Sequence, residues 1–234
     1  MKIALVDPRI SDSEYLNLSK LNCKIIKCPI NNTLYKAVCG HPDMSLHVIS
    51  NDTLILDKDI DINFIHLLKT FNLNCILSEN SLKTNYPYDI SLNALNLKNY
   101  FVHNLKFTDK KLLSFVTNKN LIHVKQGYTK CSTAILNDNA IITSDTSIHK
   151  ALLNTDIDVL LLPPGDITLP GLDYGFIGGT CGLFNKNSIV FYGSLDYYKY
   201  KDEVLNFLCK YKITPIYLNE GKLIDRGSIF FLDI

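Results

Sequence analysis

An α/β architecture of five repeated units is indicated by this sequence of 234 residues. The main observation is a pattern that recurs roughly every 40–50 residues: an apolar strand, a polar turn, a second apolar strand, a helix and a third strand. The second observation is composition, because 47% hydrophobic residues are enough to form a sizeable core. We predict one domain over residues 1–234. A generic layered α/β fold with coincidental regularity is the alternative.

Four of the units are continuous in the chain. Their paired strands, joined by Asn- or Asp-bearing turns that favour hairpins, occupy residues 44–59, 90–109, 132–145 and 181–196. Their helices, which follow an Asp, Ser or Thr suited to capping and show apolar residues at helical spacing, occupy residues 62–72, 109–118, 147–154 and 200–211. Their third strands occupy residues 73–79, 120–126, 158–165 and 213–220.

The fifth unit is predicted to be split between the two ends of the chain. One strand lies in residues 226–234, while residues 2–8, 11–22 and 23–30 supply a strand, a helix and a strand. If the first strand pairs with the last, the sheets form a closed ring in which neither terminus leaves a free edge.

Charge and cysteine usage exclude several classes of protein. The net charge is +1 with no basic stripe, which argues against a nucleic-acid partner. The apolar run before Asp7 and Pro8 is too short for a signal peptide, and no stretch is apolar enough to span a membrane, so we expect a cytoplasmic protein without a membrane partner. Seven scattered cysteines argue against both a disulfide framework and a zinc site. The oligomeric state is not indicated.

In such a ring, the loops that precede the first strand of each unit point towards the centre. We call them the lead-in loops: residues 39–45, 86–91, 127–132, 175–182 and 224–228. They would bring these reactive and charged side chains to one cavity: His41, Asp43, Asp89, Lys130, Cys131, Asp173, Cys181, Asp225 and Arg226. On an extended segment, the spacing of His41 and Asp43 places both side chains on one face.

Four segments resemble motifs of the guanidino-group-modifying enzymes. GYTKCSTAIL resembles the nucleophile segment of dimethylarginine dimethylaminohydrolases, with Cys131 at the nucleophile position. HPDM resembles the His-x-Asp motif of arginine deiminases, peptidylarginine deiminases and amidinotransferases. LIDRGSIFF resembles an acid–Gly–Gly–Asp segment, with Asp225 at the catalytic acid. GLDYGFIGGTCG resembles the substrate segment, with Asp173 and Phe176 at matching positions.

The resemblance implies the pentein fold, a five-bladed α/β propeller around a central channel. The motifs stand in a circularly permuted order relative to the familiar enzymes, because the histidine comes first, then the cysteine, the substrate segment and the acid. Two departures are clear: Gly178 and Gly179 stand where carboxylates are expected, and Arg226 is an added cation. Since a cationic substrate requires carboxylates, these changes argue against arginine itself as the substrate. Arg226 would either recruit a substrate carboxylate or pair with Asp225.

The resemblance also implies a cysteine-dependent hydrolase or transferase of guanidine- or amidine-like compounds. Cys131 would attack the substrate carbon to form a thiouronium-type intermediate, and His41 would serve as general acid and base. Asp225 would orient His41 or hold the reacting nitrogens. The predicted substrate-binding residues are Asp43, Asp173, Phe176, Asp89 and Arg226. This chemistry needs a small-molecule substrate but no metal or organic cofactor.

Other interpretations remain open from the sequence. Cys131 could be a small buried thiol at the start of a strand, which is the common role of a lone cysteine. Cys181, preceded by glycines, is a rival nucleophile. The whole chain could also be a catalytically inactive pentein-fold binding protein.

Overall fold

The computed structural model describes residues 1–234 and contains five three-stranded sheets and six α-helices. The strands are β1 (Lys2–Val6), β2 (Cys23–Lys27), β3 (Leu46–Val48), β4 (Thr53–Leu56), β5 (Asn74–Leu77), β6 (Leu95–Asn96), β7 (Tyr100–His103), β8 (Asn120–His123), β9 (Thr133–Asn137), β10 (Ala140–Thr143), β11 (Asp158–Leu161), β12 (Cys181–Asn185), β13 (Ser188–Phe191), β14 (Thr214–Tyr217) and β15 (Phe230–Asp233). The helices are α1 (Asp12–Ser19), α2 (Pro42–Ser45), α3 (Ile62–Lys69), α4 (Lys110–Phe115), α5 (Thr146–Leu152) and α6 (Lys201–Lys210). No helix combines the length and the apolar character that crossing a membrane requires.

Every sheet has the same topology. Its middle strand pairs antiparallel with one neighbour and parallel with the other, and the sheets are β15-β1-β2, β3-β4-β5, β6-β7-β8, β9-β10-β11 and β12-β13-β14. A parallel pair needs a crossover connection, and a helix supplies it in each sheet. We number the sheets one to five in this order. The predicted strand–strand–helix–strand unit is therefore present five times.

The first sheet contains both ends of the chain. β1 runs antiparallel to β15, with Lys2 opposite Asp233 and Leu5 opposite Phe230. One ion pair, between the side chains of Lys2 and Asp233 at 2.6 Å, also joins the two ends of the chain. No strand pairing joins one sheet to the next.

Side-chain caps fix where the helices begin. α1 starts with a capping box, in which Ser11 Oγ accepts from the N–H of Glu14 and Glu14 Oε2 accepts from the N–H of Ser11. Asp61, Asp109 and Asp145 accept backbone N–H groups in the first turns of α3, α4 and α5. The polar residues predicted after the hairpins therefore act as the expected caps in these helices. The prediction is wrong for α6, whose N-cap Tyr200 makes no side-chain cap, because Ser194 instead caps a short 3₁₀ helix over Leu195–Tyr197.

Apolar clusters lie between neighbouring sheets. One cluster joins Leu5 of the first sheet to Leu54 of the second, and another joins Val190 of the fifth sheet to Ala4 of the first. Three further clusters join the second sheet to the third, the third to the fourth and the fourth to the fifth. Both faces of the middle strands are covered in this way, which explains their nearly continuous apolar sequences.

The prediction that His41 and Asp43 lie on an extended segment is wrong. Only His41 is extended, with φ −66° and ψ 121°, and it is the N-cap of α2. Asp43 lies inside that one-turn helix. The physical reason is Pro42, whose fixed φ favours the first position of a helix.

Replacement of Leu232 by alanine should test the pairing of the chain ends. Leu232 is fully buried in β15, so its truncation should lower the free energy of unfolding by about 2–5 kcal/mol. Urea denaturation measures this value. Ile234→Ala, two residues away and 38% exposed, is the matched control and should have little effect. Equal effects of the two variants would contradict the placement of β15.

Candidate active site

Cys131 lies in the turn before β9, where the backbone is held by Asn93. The N–H groups of Lys130 and Cys131 both donate to Asn93 Oδ1, at 3.1 and 3.0 Å. The cysteine is 5% exposed. Its Sγ lies 3.5 and 3.4 Å from the two carboxylate oxygens of Asp225. The thiol is therefore in direct contact with a carboxylate that lies 94 residues away in the sequence.

Asp225 is a buried acid supported by backbone donors. The N–H groups of Phe176 and Gly227 donate to its carboxylate at 2.8 and 3.0 Å. Burial, followed by the charge of Asp43, raises the pKa of Asp225 to about 7, against the lowering effect of those two donors. The carboxylate of Asp225 therefore takes up a proton more readily than an ordinary aspartate.

Glycines make room for this carboxylate. A Cβ on Gly179 would lie 1.9 Å from Asp225 Oδ1, and one on Gly175 would lie 2.4 Å from Asp225 Cβ. At Gly178 a Cβ would lie 2.2 Å from the carbonyl oxygen of Thr133. Positions 178 and 179, where the sequence lacks the expected carboxylates, thus have no space for any side chain. The carboxylate of Asp225 fills the space beside Gly175 and Gly179.

His41 faces the same carboxylate from the other side. Its Nδ1 lies 3.8 Å from Asp225 Oδ1, and its Nε2 lies 3.9 Å from Asp7 Oδ2. These distances exceed hydrogen-bond length, and neither ring nitrogen has a hydrogen-bond partner in the protein. The pKa of His41 is lowered to about 3, mainly by burial; the charge of Asp7 opposes this shift, and the charges of Arg9 and Arg226 add to it. The imidazole is therefore neutral at pH 7.

Asp43 adds a second buried carboxylate. Ser228 Oγ donates to its Oδ2 at 2.7 Å, and Lys130 Nζ donates to Ser228 Oγ at 2.8 Å. Burial raises the pKa of Asp43, although the nearby charge of Lys130 opposes this. Its other oxygen, Oδ1, has no hydrogen-bond partner in the protein.

The thiol is protonated in this environment. Burial raises the pKa of Cys131 well above its usual value, and the charges of Asp225 and Asp43 raise it further, while Lys130 lowers it. A cation bound between the thiol and these carboxylates would shift the pKa downwards. His41, Asp43 and Cys131 also offer ligand atoms within 4.8 Å of one another, a set that could hold a divalent metal ion.

A cavity of about 250 Å³ gives access to Cys131, His41 and Asp225. Nine of its twelve lining residues are hydrophobic, among them the aromatic residues Tyr35, Tyr128, Tyr174 and Phe176. The rings of Tyr128 and Phe176 lie 6.4 Å apart. A polar cavity of about 590 Å³ adjoins it, sharing Tyr35 and Asp225 and lined also by Arg9, Lys36 and Arg226.

The structure brings four of the predicted residues together: Cys131, His41, Asp225 and Asp43. Asp173 and Phe176 line the same cavity, with Asp173 exposed. Asp89 does not line it, but accepts the hydroxyl of Tyr128 at 2.6 Å and so supports one wall. Their roles in substrate binding stay predictions.

Arg226 and Cys181 are engaged elsewhere. Arg226 forms a bidentate ion pair with Glu14 of α1, at 2.9 and 3.1 Å, and not with Asp225. It reaches only the adjoining polar cavity. The Cys181 thiol is buried, donates to the carbonyl oxygen of Ile177 at 3.5 Å and does not line the cavity of Cys131.

Sequence reasoning missed three residues that shape the site: Asn93, Ser228 and Asp7. Asn93 falls in residues 90–109, which were predicted as paired strands, but the first of these strands, β6, begins only at Leu95, so that Asn93 lies in the loop before it. The clue for Asp7 was its position directly after a buried strand. Ser228 directly follows Gly227. Position 227 requires glycine, because it has φ +66° and an added Cβ would lie 2.2 Å from His41 Cβ.

Replacement of Asp225 by asparagine should remove a pH-dependent part of the stability. Because the folded-state pKa is raised from 3.8 to about 7, the stabilisation from Asp225 is present below about pH 4 and is lost as the pH rises through about 7. The free energy of unfolding of the wild type, measured relative to Asp225→Asn, should therefore fall between about pH 4 and about pH 8.

Urea denaturation at a series of pH values measures this difference. His41, whose pKa is lowered from 6.5 to about 3, contributes with the opposite sign in both proteins, so the difference between the two is the informative quantity. A difference that stays constant with pH would contradict the raised pKa of Asp225.

Comparisons with known proteins place the fold. The chain has a TM-score of 0.55 and 9% identity to DDAH from Pseudomonas aeruginosa complexed with citrulline, covering 94% of this chain and 95% of that one. For SxtG, an amidinotransferase from Microseira wollei, the TM-score is 0.54 and the sequence identity is 9%, and the match covers 92% of this chain and 87% of that one. For agmatine deiminase from C. jejuni, the TM-score is 0.52 and the sequence identity is 15%, and the match covers 93% of this chain and 75% of that one.

At these identities the likeness concerns the fold, and it confirms the resemblance to guanidino-group-modifying enzymes at that level. A comparison with curated proteins found no match. One family model matches residues 5–230, almost the whole chain. The chain therefore belongs to the family described as "Family of unknown function (DUF6873)".

Proposed function

We propose that this protein is a cysteine-dependent hydrolase or transferase acting on a guanidine- or amidine-like C–N bond. One observation carries the proposal: Cys131, His41 and the buried acid Asp225 line one cavity, and the buried carboxylate of Asp43 lies beside the thiol and the imidazole, although these residues come from distant loops. A nucleophile, a proton carrier and charge-stabilising groups in mutual reach are the elements of covalent catalysis.

The charges of the site favour a planar cation with several N–H donors. Asp225 and Asp43 are both fully buried beside the thiol, and Asp43 Oδ1 lacks a donor from the protein. A guanidinium or amidinium would donate to these oxygens in charge-assisted hydrogen bonds. Its positive charge would also offset the repulsion between the two carboxylates, which a neutral ligand cannot do.

The proposed reaction begins when the bound cation lowers the pKa of Cys131. The thiol proton passes to His41, and the thiolate attacks the central carbon to form a C–S bond. His41 returns the proton to the departing nitrogen as the C–N bond breaks, which leaves a thiouronium-type cysteine. In a hydrolase, His41 then takes one proton from a water that attacks the same carbon. The C–S bond breaks to release the urea or amide product, the proton on His41 passes to the departing sulfur to restore the thiol, and the second proton of the water is lost to solvent as the C=O bond forms. In a transferase, an acceptor amine takes the place of water.

The remaining predicted residues receive supporting roles in this proposal. Phe176 packs on the planar group or on its substituent, and Asp173 contacts a polar or cationic end of the substrate near the cavity mouth. Asp89 holds Tyr128 in the wall. Arg226, which is paired with Glu14, contributes to the adjoining polar cavity. The small-molecule substrate, the absence of a cofactor and the cytoplasmic location stay predictions.

We also propose that the five sheets form a closed, circularly permuted propeller. Support comes from the apolar clusters, which join each sheet to the next and the fifth to the first. Further support comes from the lead-in loops, four of which contribute His41, Cys131, Phe176 and Asp225 to one site.

A second candidate function is ligand binding without catalysis. The observation that favours it is the lack of space for a carboxylate at positions 178 and 179, where the resemblance leads us to expect groups that grip a guanidinium. The raised pKa of Cys131 and the lowered pKa of His41 agree with it. A protein that uses these groups only to bind a cation would keep the same contacts. The two candidates differ in the reactivity of Cys131.

Labelling with a cationic electrophile should distinguish the candidates. 2-Chloroacetamidine carries the amidinium that the carboxylates would bind, whereas 2-chloroacetamide is its neutral counterpart. The informative quantity is the labelling rate with 2-chloroacetamidine divided by the rate with 2-chloroacetamide. If Cys131 is catalytic, this ratio should be at least about tenfold higher at Cys131 than at Cys209, which is exposed in the same chain. Peptide mass spectrometry measures both sites in one sample.

The controls test each group separately. His41→Ala and Asp225→Asn should reduce the ratio at Cys131 and leave that at Cys209 unchanged. A ratio at Cys131 equal to that at Cys209 would contradict the enzymatic proposal and favour the binding protein.

Turnover gives a second and independent test. A panel of guanidines and amidines is incubated with the protein, and release of ammonia or amine is measured with and without an added acceptor amine. Cys131→Ala should lower any activity by at least about a thousandfold, as expected for loss of a nucleophile. Cys181→Ala is the matched buried-cysteine control and should retain activity. Loss with Cys181→Ala alone would identify the other thiol as the nucleophile.

A further inference from the structure

A third cavity, of about 560 Å³ and larger than that of Cys131, lies among the first strands of all five sheets. It is lined by residues of β3, β6, β9, β12 and β15, and we call it the inner-strand cavity. It shares no lining residue with the cavity of Cys131. Nothing in the proposed reaction uses it.

The inner-strand cavity has an excess of positive charge. Lys98, Lys119 and Lys130 line it, against the single acid Asp138. None of the three lysines forms an ion pair within 4.0 Å. This contrasts with Arg9 and Arg226, which are both paired with buried carboxylates.

The partners of the two less exposed lysines are neutral. Lys119 Nζ donates to Asn96 Oδ1 at 2.6 Å and to the carbonyl oxygen of Leu97 at 2.7 Å. Lys130 Nζ donates to Ser228 Oγ at 2.8 Å. Since an ammonium group has three donors, one remains on Lys119 and two remain on Lys130. Lys130 is linked through Ser228 to the carboxylate of Asp43, whereas Lys119 has only neutral hydrogen-bond partners. An ammonium group with a free donor and no ion-pair partner is suited to bind an anionic group.

The two other titratable groups in the lining do not alter this balance. His47 is buried, its Nδ1 lies 3.0 Å from the carbonyl oxygen of Leu92, and burial lowers its pKa to about 4. Burial raises the pKa of Cys181 to about 12. Both are neutral around pH 7, so the charge of the cavity comes from the three lysines and Asp138.

The walls between the charged groups are apolar. Twelve of the 21 lining residues are hydrophobic, including Val48, Ile135, Leu183 and Phe231. Lys98 lies in the turn between β6 and β7, and Lys119 directly precedes β8, so both stand at the hairpin end of the third sheet. The apolar strands extend from there towards Lys130, which precedes β9. A bare inorganic anion would leave these walls without contacts.

We propose that the inner-strand cavity binds a small amphipathic organic anion. Its carboxylate or phosphate head is held by Lys119 and Lys98, and its alkyl or aryl body packs along Val48, Ile135 and Leu183. The proposal concerns binding alone and does not depend on the chemistry of Cys131.

Binding of matched eight-carbon probes tests the proposal. Octanoate and octyl phosphate carry the two possible head groups, and octan-1-ol is the uncharged control. Isothermal titration calorimetry on the full chain should show at least one anion binding about tenfold or more tightly than the alcohol, as expected for one or two charged hydrogen bonds. The preference should weaken as salt is added. Which anion binds more tightly identifies the head group.

Lysine variants locate the site. Lys119→Gln should lower the affinity for the anions about tenfold, close to the affinity for octan-1-ol. Lys98→Glu, at an exposed position, should lower the affinity for the anions several-fold. Lys24→Gln, at an exposed position outside the cavity, is the matched control and should have no effect. Absence of binding by both anions, equal binding of the alcohol, or insensitivity to both cavity variants would overturn the proposal. Because the readout is binding, it is separate from the labelling and turnover tests of Cys131.

Discussion

The candidate site depends on the burial of one carboxylate, that of Asp225. An acid without contact to water needs donors and space, and the chain supplies both through its backbone. Phe176 and Gly227 give their N–H groups, while Gly175 and Gly179 give the space that side chains would otherwise fill. The same carboxylate contacts the thiol of Cys131 and faces His41. Two lead-in loops are thus shaped around a single acidic group.

Backbone hydrogen bonds between the lead-in loops keep this arrangement in place. The N–H of Gly179 donates to the carbonyl oxygen of Cys131 at 2.9 Å, and the N–H of Ser228 donates to that of Gly179 at 2.9 Å. The N–H of Asp43 donates to the carbonyl oxygen of Gly227 at 3.2 Å. Four loops from different sheets are therefore joined in one chain of contacts. Because each loop is short and anchored on a buried strand, the reacting groups are held without help from long, mobile segments.

The repeated units could be predicted from the sequence because their signals are local: alternating apolar strands, Asn-rich turns and capping residues, all within about 15 residues of one another. The residues of the site were found through short motifs, and Cys131, His41 and Asp225 do meet. Partners fixed by tertiary contacts were not predictable in this way. Arg226 pairs with Glu14, which is 212 residues away, and Asn93 supports Cys131 through a side-chain oxygen that no spacing rule identifies. At positions 178 and 179, where the sequence lacks the expected carboxylates, close packing against Thr133 and Asp225 leaves no space for a side chain.

Lys130 lies at the boundary between two cavities with opposite charge. On one side are the carboxylates of Asp43 and Asp225, and on the other are Lys98 and Lys119. Lys130 lines only the inner-strand cavity, yet through Ser228 it contacts Asp43, and its charge lowers the pKa values of both Asp43 and Cys131. Coulomb attraction falls slowly with distance in a buried region. The half-buried ammonium of Lys130 therefore partly offsets the charge of Asp43 beside the thiol of Cys131.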